Sequence, residues 1–158
     1  RIAAVLGTNE IAVRASVGRS TELHRSASGV VVLSLLGDDR VAEYMTWAVK
    51  NCGVKAAALR KDLAEAQRLG YSLSSHGAGE ITDIAVPIRE PSGRAIAAIA
   101  VRGLSLNNRR SLKSVIAVSK ETASTIEAVV RENPGDFVNP YAHLSWQAVE
   151  LPQLPAIR

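Results

Sequence analysis

The sequence predicts an α+β domain in which helices cover an antiparallel sheet. Three observations predict this class: a pair of strands joined by a tight turn between Ile81 and Gly103, three helix-like segments before it, and one long helix after it. Strands and helices do not alternate along the chain as they do in parallel α/β folds. The 158 residues are enough for one domain with its own core.

The first predicted elements are a strand and a buried helix. Apolar and polar residues alternate from Glu10 to Val17, which predicts a strand. Ser26 or Ser28 is positioned to cap a helix that continues through the apolar run to Gly37. This helix is apolar nearly all round, so we expect it to be central and buried.

Two amphipathic helices follow. The second helix is predicted to begin at a cap supplied by Asp38 or Asp39 and to end near Gly53. The third is predicted from about Lys55 to Leu69, with Gly70 as its C-terminal stop. Their apolar positions at helical spacing are Val41, Tyr44, Met45, Ala48, Leu59, Leu63, Ala66 and Leu69.

The strands and the last helix complete the predicted domain. A short strand begins near Tyr71, and the hairpin follows with its turn at Pro91 to Arg94. The proline presets φ for the first turn position, and Gly93 permits a positive φ at the exit. A helix is then predicted from about Arg110 to Arg131. Its stripe comprises Leu112, Val115, Ile116, Ser119, Ala123, Ile126 and Val130.

The composition changes after Asn133, so we divide the chain into a domain at 1–133 and a Pro-rich C-terminal tail at 134–158. Prolines concentrate in the tail, which predicts irregular structure. The tail also holds more apolar surface than a disordered segment carries, and we expect it to lie along the domain or to reach a neighbouring subunit. Four of the six prolines are Pro134, Pro140, Pro152 and Pro155.

Composition limits the classes of function. The apolar fraction of 47% and the charged fraction of 22% are those of a soluble globular protein, and the longest apolar run is too short to cross a membrane. Cys52 is the single cysteine, which excludes an internal disulfide and fits a reducing cytoplasm. The three histidines lack metal-ligand spacing, so no metal or other cofactor is expected.

The formal net charge is +4, which raises the question of nucleic acid. Lysines and arginines are scattered without a run of three, which favours a solvated basic surface over direct contact with nucleic acid. The chain does not begin with Met, which suggests that it is a fragment of a longer protein.

Three segments in this order resemble the effector-binding domain of the IclR family of bacterial transcription regulators. The first comprises Val17-Gly18-Arg19, the pair Leu23-His24 and the small-residue run Ser26–Gly29. The second is the charged helix Leu59–Tyr71 with its Leu-Gly-Tyr end, and the third is the hairpin region Gly79–Gly103. The resemblance covers roughly residues 10–132. Each segment alone is a weak signal, whereas their order and spacing together are fairly specific.

The resemblance implies a GAF/profilin-like single domain that senses a small organic metabolite, such as a carboxylate, and forms a homodimer or homotetramer. It further implies that DNA is bound only through an N-terminal winged helix-turn-helix domain, which we expect to be absent from this chain. No membrane partner and no catalysis are implied. Ligand binding would then bias the domain between two arrangements, which requires different affinities for the two.

The chain departs from the family pattern where the resemblance places the pocket. Asp83 stands where the family has a cysteine, and Ala100 and Arg102 replace serines of the closing strand. Ser74 and Ser75 replace the acidic residues that often follow the Gly-Tyr pair, and Val30 replaces a lysine. These changes cluster around the expected pocket, so they leave open a ligand class different from the usual small carboxylates of the family.

Asp83 and Arg102 are the first candidate site residues, because a buried strand rarely carries a charge. Strand residues two apart share a face, and pairing through the turn would bring the two charges together. Arg102 would clamp a ligand carboxylate while Asp83 accepts from a ligand hydroxyl or amine; alternatively, the two form an ion pair and bind nothing. The residues expected on this face are Asp83, Ala85, Pro87, Arg102, Ala100, Ala98 and Ile96.

The start of the buried helix supplies the other candidates. Backbone N–H groups at Ala27 and Ser28 would attract a ligand carboxylate; alternatively, the helix start is an ordinary N-cap that binds nothing. Leu33 and Leu36 would wall the pocket, although core packing is the preferred interpretation. His24 is interpreted as a hydrogen-bonded structural residue.

The rivals to a metabolite sensor are a small-molecule enzyme, which would need a nucleophile and base that the sequence does not show, and a pure oligomerisation module. In the second rival, the pocket is filled by the chain's own side chains, for example by Arg102.

Overall fold

The computed structural model describes residues 21–76, 81–104 and 109–132. The predicted strand at 10–17 and the tail at 134–158 lie outside the described residues. Within them the chain is α+β, with a three-stranded antiparallel sheet and four helices, so the predicted fold class is confirmed.

The sheet is built around its middle strand. Strand β1 spans Ser72–His76, β2 spans Ile81–Arg89 and β3 spans Ala95–Leu104. β2 pairs antiparallel with both neighbours, and all its residues from 82 to 88 are buried. Helices cover both faces of β2, which explains why its sequence does not alternate cleanly between apolar and polar residues.

The turn between β2 and β3 has the predicted chemistry. Pro91 occupies the first central position, the Gly93 N–H donates to the Glu90 carbonyl at 2.8 Å, and Gly93 has φ of 87°. The Ser92 hydroxyl donates to the Glu90 carboxylate at 2.7 Å, and Arg94 pairs with the same oxygen at 2.7 Å. These contacts, chiefly that of Ser92, lower the pKa of Glu90.

One irregularity in the hairpin corrects the predicted faces. The register shifts between Ile88 and Arg89, which pair with Ala97 and Ala95. Ile96 therefore has no partner in the register, and it packs against the cluster around Ile88 rather than on the Arg102 face. Strict alternation failed here because a bulge inserts one residue into the strand.

Helix α1 is the centre of the domain. It spans Ala27–Leu33, with α2 at Asp38–Cys52 and α3 at Ala56–Leu69. One side of α1 packs on the sheet through Ala27 and Val31, and the other side packs on α2 and α3. The layers are therefore α2 with α3, then α1, then the sheet, and the predicted central helix is confirmed.

Two helix ends differ from the prediction. Helix α1 ends at Leu33 instead of continuing to Gly37, because the Ser34 hydroxyl donates to the Val31 carbonyl at 2.9 Å and tighter turns follow. The cap of α2 is Gly37, without a side-chain hydrogen bond. Both predicted caps, Asp38 and Asp39, lie inside the first turn, where their charges still favour the helix dipole.

Helix α4 closes the opposite face of the sheet. It spans Arg109–Glu132, and its Ala123 and Ile126 pack on Val86 and Ile88 of β2. The predicted apolar stripe is confirmed, since Ser119, Ala123 and Val130 are buried. Within the described residues, no helix has the length and apolar character needed to cross a membrane.

Candidate functional site

The two charges of the hairpin meet directly. Asp83 and Arg102 are cross-strand partners, and the guanidinium grips the carboxylate through two bonds, Nε to Oδ1 at 2.5 Å and Nη2 to Oδ2. Hydrogen bonding to Asp83 raises the pKa of Arg102, so the arginine stays charged. The Asp83 side chain is 7% exposed and that of Arg102 is 31% exposed. The carboxylate is therefore buried, while part of the guanidinium faces outward.

The pair belongs to a row of polar side chains across all three strands. Ser74 of β1 is the partner of Asp83 on the side away from Arg102. In the adjacent row, Ala85 lies between Ser72 and Ala100. The predicted site residues Ser74, Asp83, Ala85, Ala100 and Arg102 thus form one continuous patch of the sheet.

The start of α1 lies on the same face. Ala27 packs against Ala85, which is two residues from Asp83 and shares its face. The Ser26 hydroxyl accepts from the Gly29 N–H at 3.1 Å and lies 3.3 Å from the Ser28 hydroxyl. Ser26 is therefore the cap, and Ala27 and Ser28 occupy the first turn, where N–H groups lack intrahelical acceptors. The fold brings the positive end of α1 and Arg102 to one side of the sheet.

The two predicted leucines separate from this patch. Leu33 is fully buried in the cluster that joins α1 to α2 and α3, which fits core packing. Leu36 lies beyond the end of α1 and lines an open cavity of about 1130 Å³ on the α2–α3 side. Neither leucine belongs to the cluster that holds Ala27 and Ala85.

Tyr44 supports the turn that precedes α1. Its hydroxyl lies 2.8 Å from His24 Nδ1 and accepts the His24 backbone N–H at 3.1 Å. Burial, followed by the charge of Arg25, lowers the pKa of His24, and burial raises the pKa of Tyr44. His24 is thus hydrogen-bonded within the fold, as the structural interpretation expects. The helical spacing of Tyr44 predicted its core position but not its polar partner, because nothing in that spacing indicates a bond across 20 residues.

A second cavity of about 170 Å³ lies on the α4 face of the sheet. Arg89 of β2 and Lys120 of α4 line it together with Glu127. These residues were not predicted as a cluster, because each resembles an ordinary surface charge on its own element. Among the described residues, no group of three His, Cys, Asp or Glu side chains is arranged to hold a metal ion.

Comparison with known proteins identifies the family. Residues 1–128 match the sequence profile described as bacterial transcriptional regulator IclR C-terminal. No curated protein matches the chain in sequence.

Solved structures share the fold. The IclR transcriptional regulator from Alicyclobacillus acidocaldarius is 15% identical with a TM-score of 0.69, over 80% of this chain and 54% of that one. The Thermotoga maritima IclR is 21% identical with a TM-score of 0.67, over 78% and 53%. An IclR homologue from Microbacterium hydrocarbonoxydans, complexed with 4-hydroxybenzoate, is 26% identical with a TM-score of 0.60, over 77% and 51%.

The chain spans about half the length of these structures. The matched family consists of transcription regulators rather than enzymes, in agreement with the expectation of a non-catalytic domain. The profile match covers most of the sequence and the structural likeness covers the described fold, so the chain belongs to the IclR family and carries the C-terminal domain of such a regulator.

Proposed function

We propose that the domain binds a small polar metabolite at the face of the sheet that carries Asp83 and Arg102, and that binding controls a DNA-binding domain elsewhere in the full protein. The observation that carries the proposal is that the first turn of α1 and a partly exposed guanidinium lie on the same face of the sheet. Both groups attract anions.

The proposed roles follow from the exposure of each group. Asp83 holds Arg102 in one orientation and engages only part of its donors, so the outward part remains for a ligand carboxylate. First-turn N–H groups at Ala27 and Ser28 would share that carboxylate. Ser74 would supply a hydroxyl from β1, while Ala85 and Ala100 leave space for the body of the ligand.

A relative supports the class of ligand. The homologue from Microbacterium hydrocarbonoxydans is complexed with 4-hydroxybenzoate, a molecule with a carboxylate at one end and a hydroxyl at the other. On this chain, Arg102 would receive the carboxylate of such a ligand. Leu33 and Leu36 were also predicted to wall the pocket, and their positions argue for core packing and for the open α2–α3 cavity instead.

A second candidate function is an oligomerisation module without a ligand. The closed bidentate pair between Arg102 and Asp83 favours it, because the arginine already has an anionic partner. Under either function we propose a homodimer or homotetramer in the bacterial cytoplasm, with DNA contacted by another domain.

A binding screen separates the two functions. Small aromatic and aliphatic carboxylates, including 4-hydroxybenzoate, are added while thermal unfolding is followed. A ligand at about 100 times its dissociation constant should stabilise the protein by about 2.7 kcal/mol. Each hit is then titrated by calorimetry against Arg102→Gln, with Arg94→Gln as the matched control because Arg94 lies on the exposed turn.

Loss of binding in Arg102→Gln with retention in Arg94→Gln supports the sensor and its anchor. Equal binding by both variants contradicts the assignment of Arg102 as the group that binds the carboxylate. The N–H groups of Ala27 and Ser28 are then the candidates for that role. A folded oligomer that gives no hit supports the oligomerisation module. Molar mass from light scattering, with and without ligand, tests the proposed assembly.

A further inference from the structure

The α4 face of the sheet carries a second concentration of positive charge, opposite the face that holds Asp83. Arg89 ends β2 there, Lys120 reaches in from α4, and Gly70 forms part of the wall. A Cβ added to Gly70 would lie 3.5 Å from Lys120 Nζ and 3.8 Å from Arg89 Nη2. Both cationic groups therefore approach the same point, at the side of the residue that lacks a side chain.

Arg89 has an unused donor in this place. Its Nε is buried and has no hydrogen-bond partner among the described residues. An unpartnered buried N–H is costly, and native structures usually satisfy it with protein, water or ligand. Nε and Nη2 form one edge of the guanidinium, the same edge by which Arg102 grips Asp83. Of these two atoms, Nη2 is the one that approaches the cavity wall at Gly70, whereas Nε is enclosed by protein.

Lys120 is already held in position. Its Nζ donates to the Leu69 carbonyl at 3.0 Å and lies 5.3 Å from the centre of the Tyr71 ring. Neither contact neutralises the ammonium, because one partner is a neutral carbonyl and the other an aromatic face. The charge of Lys120 therefore adds to that of Arg89.

Glu127 sets the charge of the preferred ligand. It lines the cavity, and its Oε1 accepts the Arg89 backbone N–H at 2.8 Å. Two cations and one carboxylate give the lining a net charge of +1, which suits a monoanion better than a dianion. The volume of about 170 Å³ restricts the ligand to a small molecule.

We propose that Arg89, Lys120 and Gly70 form a second binding site, for a small monocarboxylate, on the face of the sheet opposite the Asp83–Arg102 pair. Arg89 binds the carboxylate through Nη2, and Lys120 supplies the second positive charge. The site is independent of the proposed function, because it shares no residue with the Asp83 face.

The arginine Nε–H signal in a ¹H–¹⁵N NMR spectrum tests the site directly. Propionate is titrated into the whole chain, with sodium chloride at equal ionic strength as the reference. We expect the Arg89 Nε–H and the Gly70 amide to shift and saturate together. Arg89→Gln should weaken the affinity about tenfold, the effect of one charge-assisted hydrogen-bonded contact, as judged by Gly70. Lys113→Gln, which removes an exposed charge from the same helix, should leave it unchanged.

Glu127→Gln adds a positive test. It keeps an oxygen to accept the Arg89 N–H and removes the negative charge, so propionate should bind several-fold more tightly and sulfate should gain more than propionate. Absence of a saturable shift at Arg89, or equal effects of Arg89→Gln and Lys113→Gln, overturns the proposal. Arg102→Gln distinguishes the two sites. If the propionate-induced shifts at Arg89 and Gly70 disappear in that variant, they report binding at the Asp83 face, and the proposed site at Arg89 is overturned.

Discussion

Asp83 and Arg102 are unequally buried, so their removal should have unequal effects on stability. Arg102→Ala leaves a carboxylate that is 7% exposed without its guanidinium, whereas Asp83→Ala leaves a guanidinium that is 31% exposed and can turn to water. Removing the more exposed partner of such an ion pair leaves the buried charge without a counter-ion, which is costly. We therefore expect Arg102→Ala to lower the free energy of unfolding by about 3 kcal/mol, and Asp83→Ala by clearly less.

The double variant completes the cycle in urea denaturation. Asp83→Ala combined with Arg102→Ala removes both charges, so it should be more stable than Arg102→Ala alone. A double variant whose loss of stability equals the sum of the two single losses would mean that the two side chains act independently. That outcome would contradict the geometry of the pair.

His24 should make stability depend on pH near neutrality. Burial lowers its pKa below the model-peptide value of 6.5, so the unfolded chain binds a proton at a higher pH than the folded chain does. The stabilising contribution of neutral His24 is therefore complete above pH 6.5 and is lost as the pH falls through the lower folded pKa. The free energy of unfolding should decrease between pH 7 and pH 5, and His24→Gln should show a shallower decrease.

The same experiment on Tyr44→Phe examines the other half of the contact. The variant removes the hydroxyl that meets two His24 nitrogens, so we expect it to be destabilised by about 1–3 kcal/mol at pH 7. If His24→Gln follows the wild-type pH dependence without change, the titration originates at another group.

Among the elements, the corner before α1 is the most restricted. A Cβ on Gly29 would lie 2.7 Å from the carbonyl carbon of Leu23 and closer still to its oxygen. These are backbone atoms that cannot rotate away, so the gain of about 1 kcal/mol that alanine usually brings to a helix is not available. We expect Gly29→Ala to lower the free energy of unfolding by several kcal/mol, the range of severe core overpacking.

Gly37 provides the matched control for this substitution. It caps α2 with φ of −57°, and a Cβ there would meet nothing within 4 Å. Gly37→Ala should therefore change stability by about 1 kcal/mol or less in chemical denaturation. If both variants proved equally stable, the close approach of Gly29 to Leu23 would not be a determinant of the fold.

Elements were predictable where one local signal dominated. The hairpin turn carries Pro91 and Gly93 at the positions that turn geometry requires, and α3 ends at Gly70 in the left-handed region. The end of α1 and the cap of α2 were predicted wrongly. Serine and aspartate favour several positions near a helix end, and only the tertiary structure selects one of them.

The candidate site was likewise predictable only where a local pattern in the sequence indicates which residues meet. The hairpin and the two-residue period of strands indicated that Asp83 and Arg102 come close, but their direct pairing depends on the bulge that shifts the register between Arg89–Ala95 and Ile88–Ala97. The Arg89 and Lys120 cluster was not predictable, because it joins elements that are distant in sequence. No local pattern specifies which turn of α4 crosses the end of β2.

At the scale of the whole molecule, β2 connects cores on the two sides of the sheet. Its Ala85 packs with α1 on one face, and its Val86 and Ile88 pack with α4 on the other. Helix α1 in turn joins the sheet to the cluster of α2 and α3. Because α1 and α4 both lose the surface they pack against when β2 detaches, the described layers should unfold as one cooperative unit.

Ile88→Ala tests this cooperativity from one side of the sheet. Ile88 is 8% exposed and belongs to the α4 cluster, so its truncation should lower the free energy of unfolding by about 2–4 kcal/mol. If the domain is a single unit, the slowest-exchanging amides around Leu63 of α3, in the cluster on the far side of α1, should lose the same amount of protection. Native-state hydrogen exchange measures both values in one sample. Loss of protection confined to β2, β3 and α4 would show that the helical layer of α2 and α3 unfolds separately. In that case cooperative packing through α1 could not carry the effect of a ligand from the sheet to this layer, and another coupling mechanism would be needed.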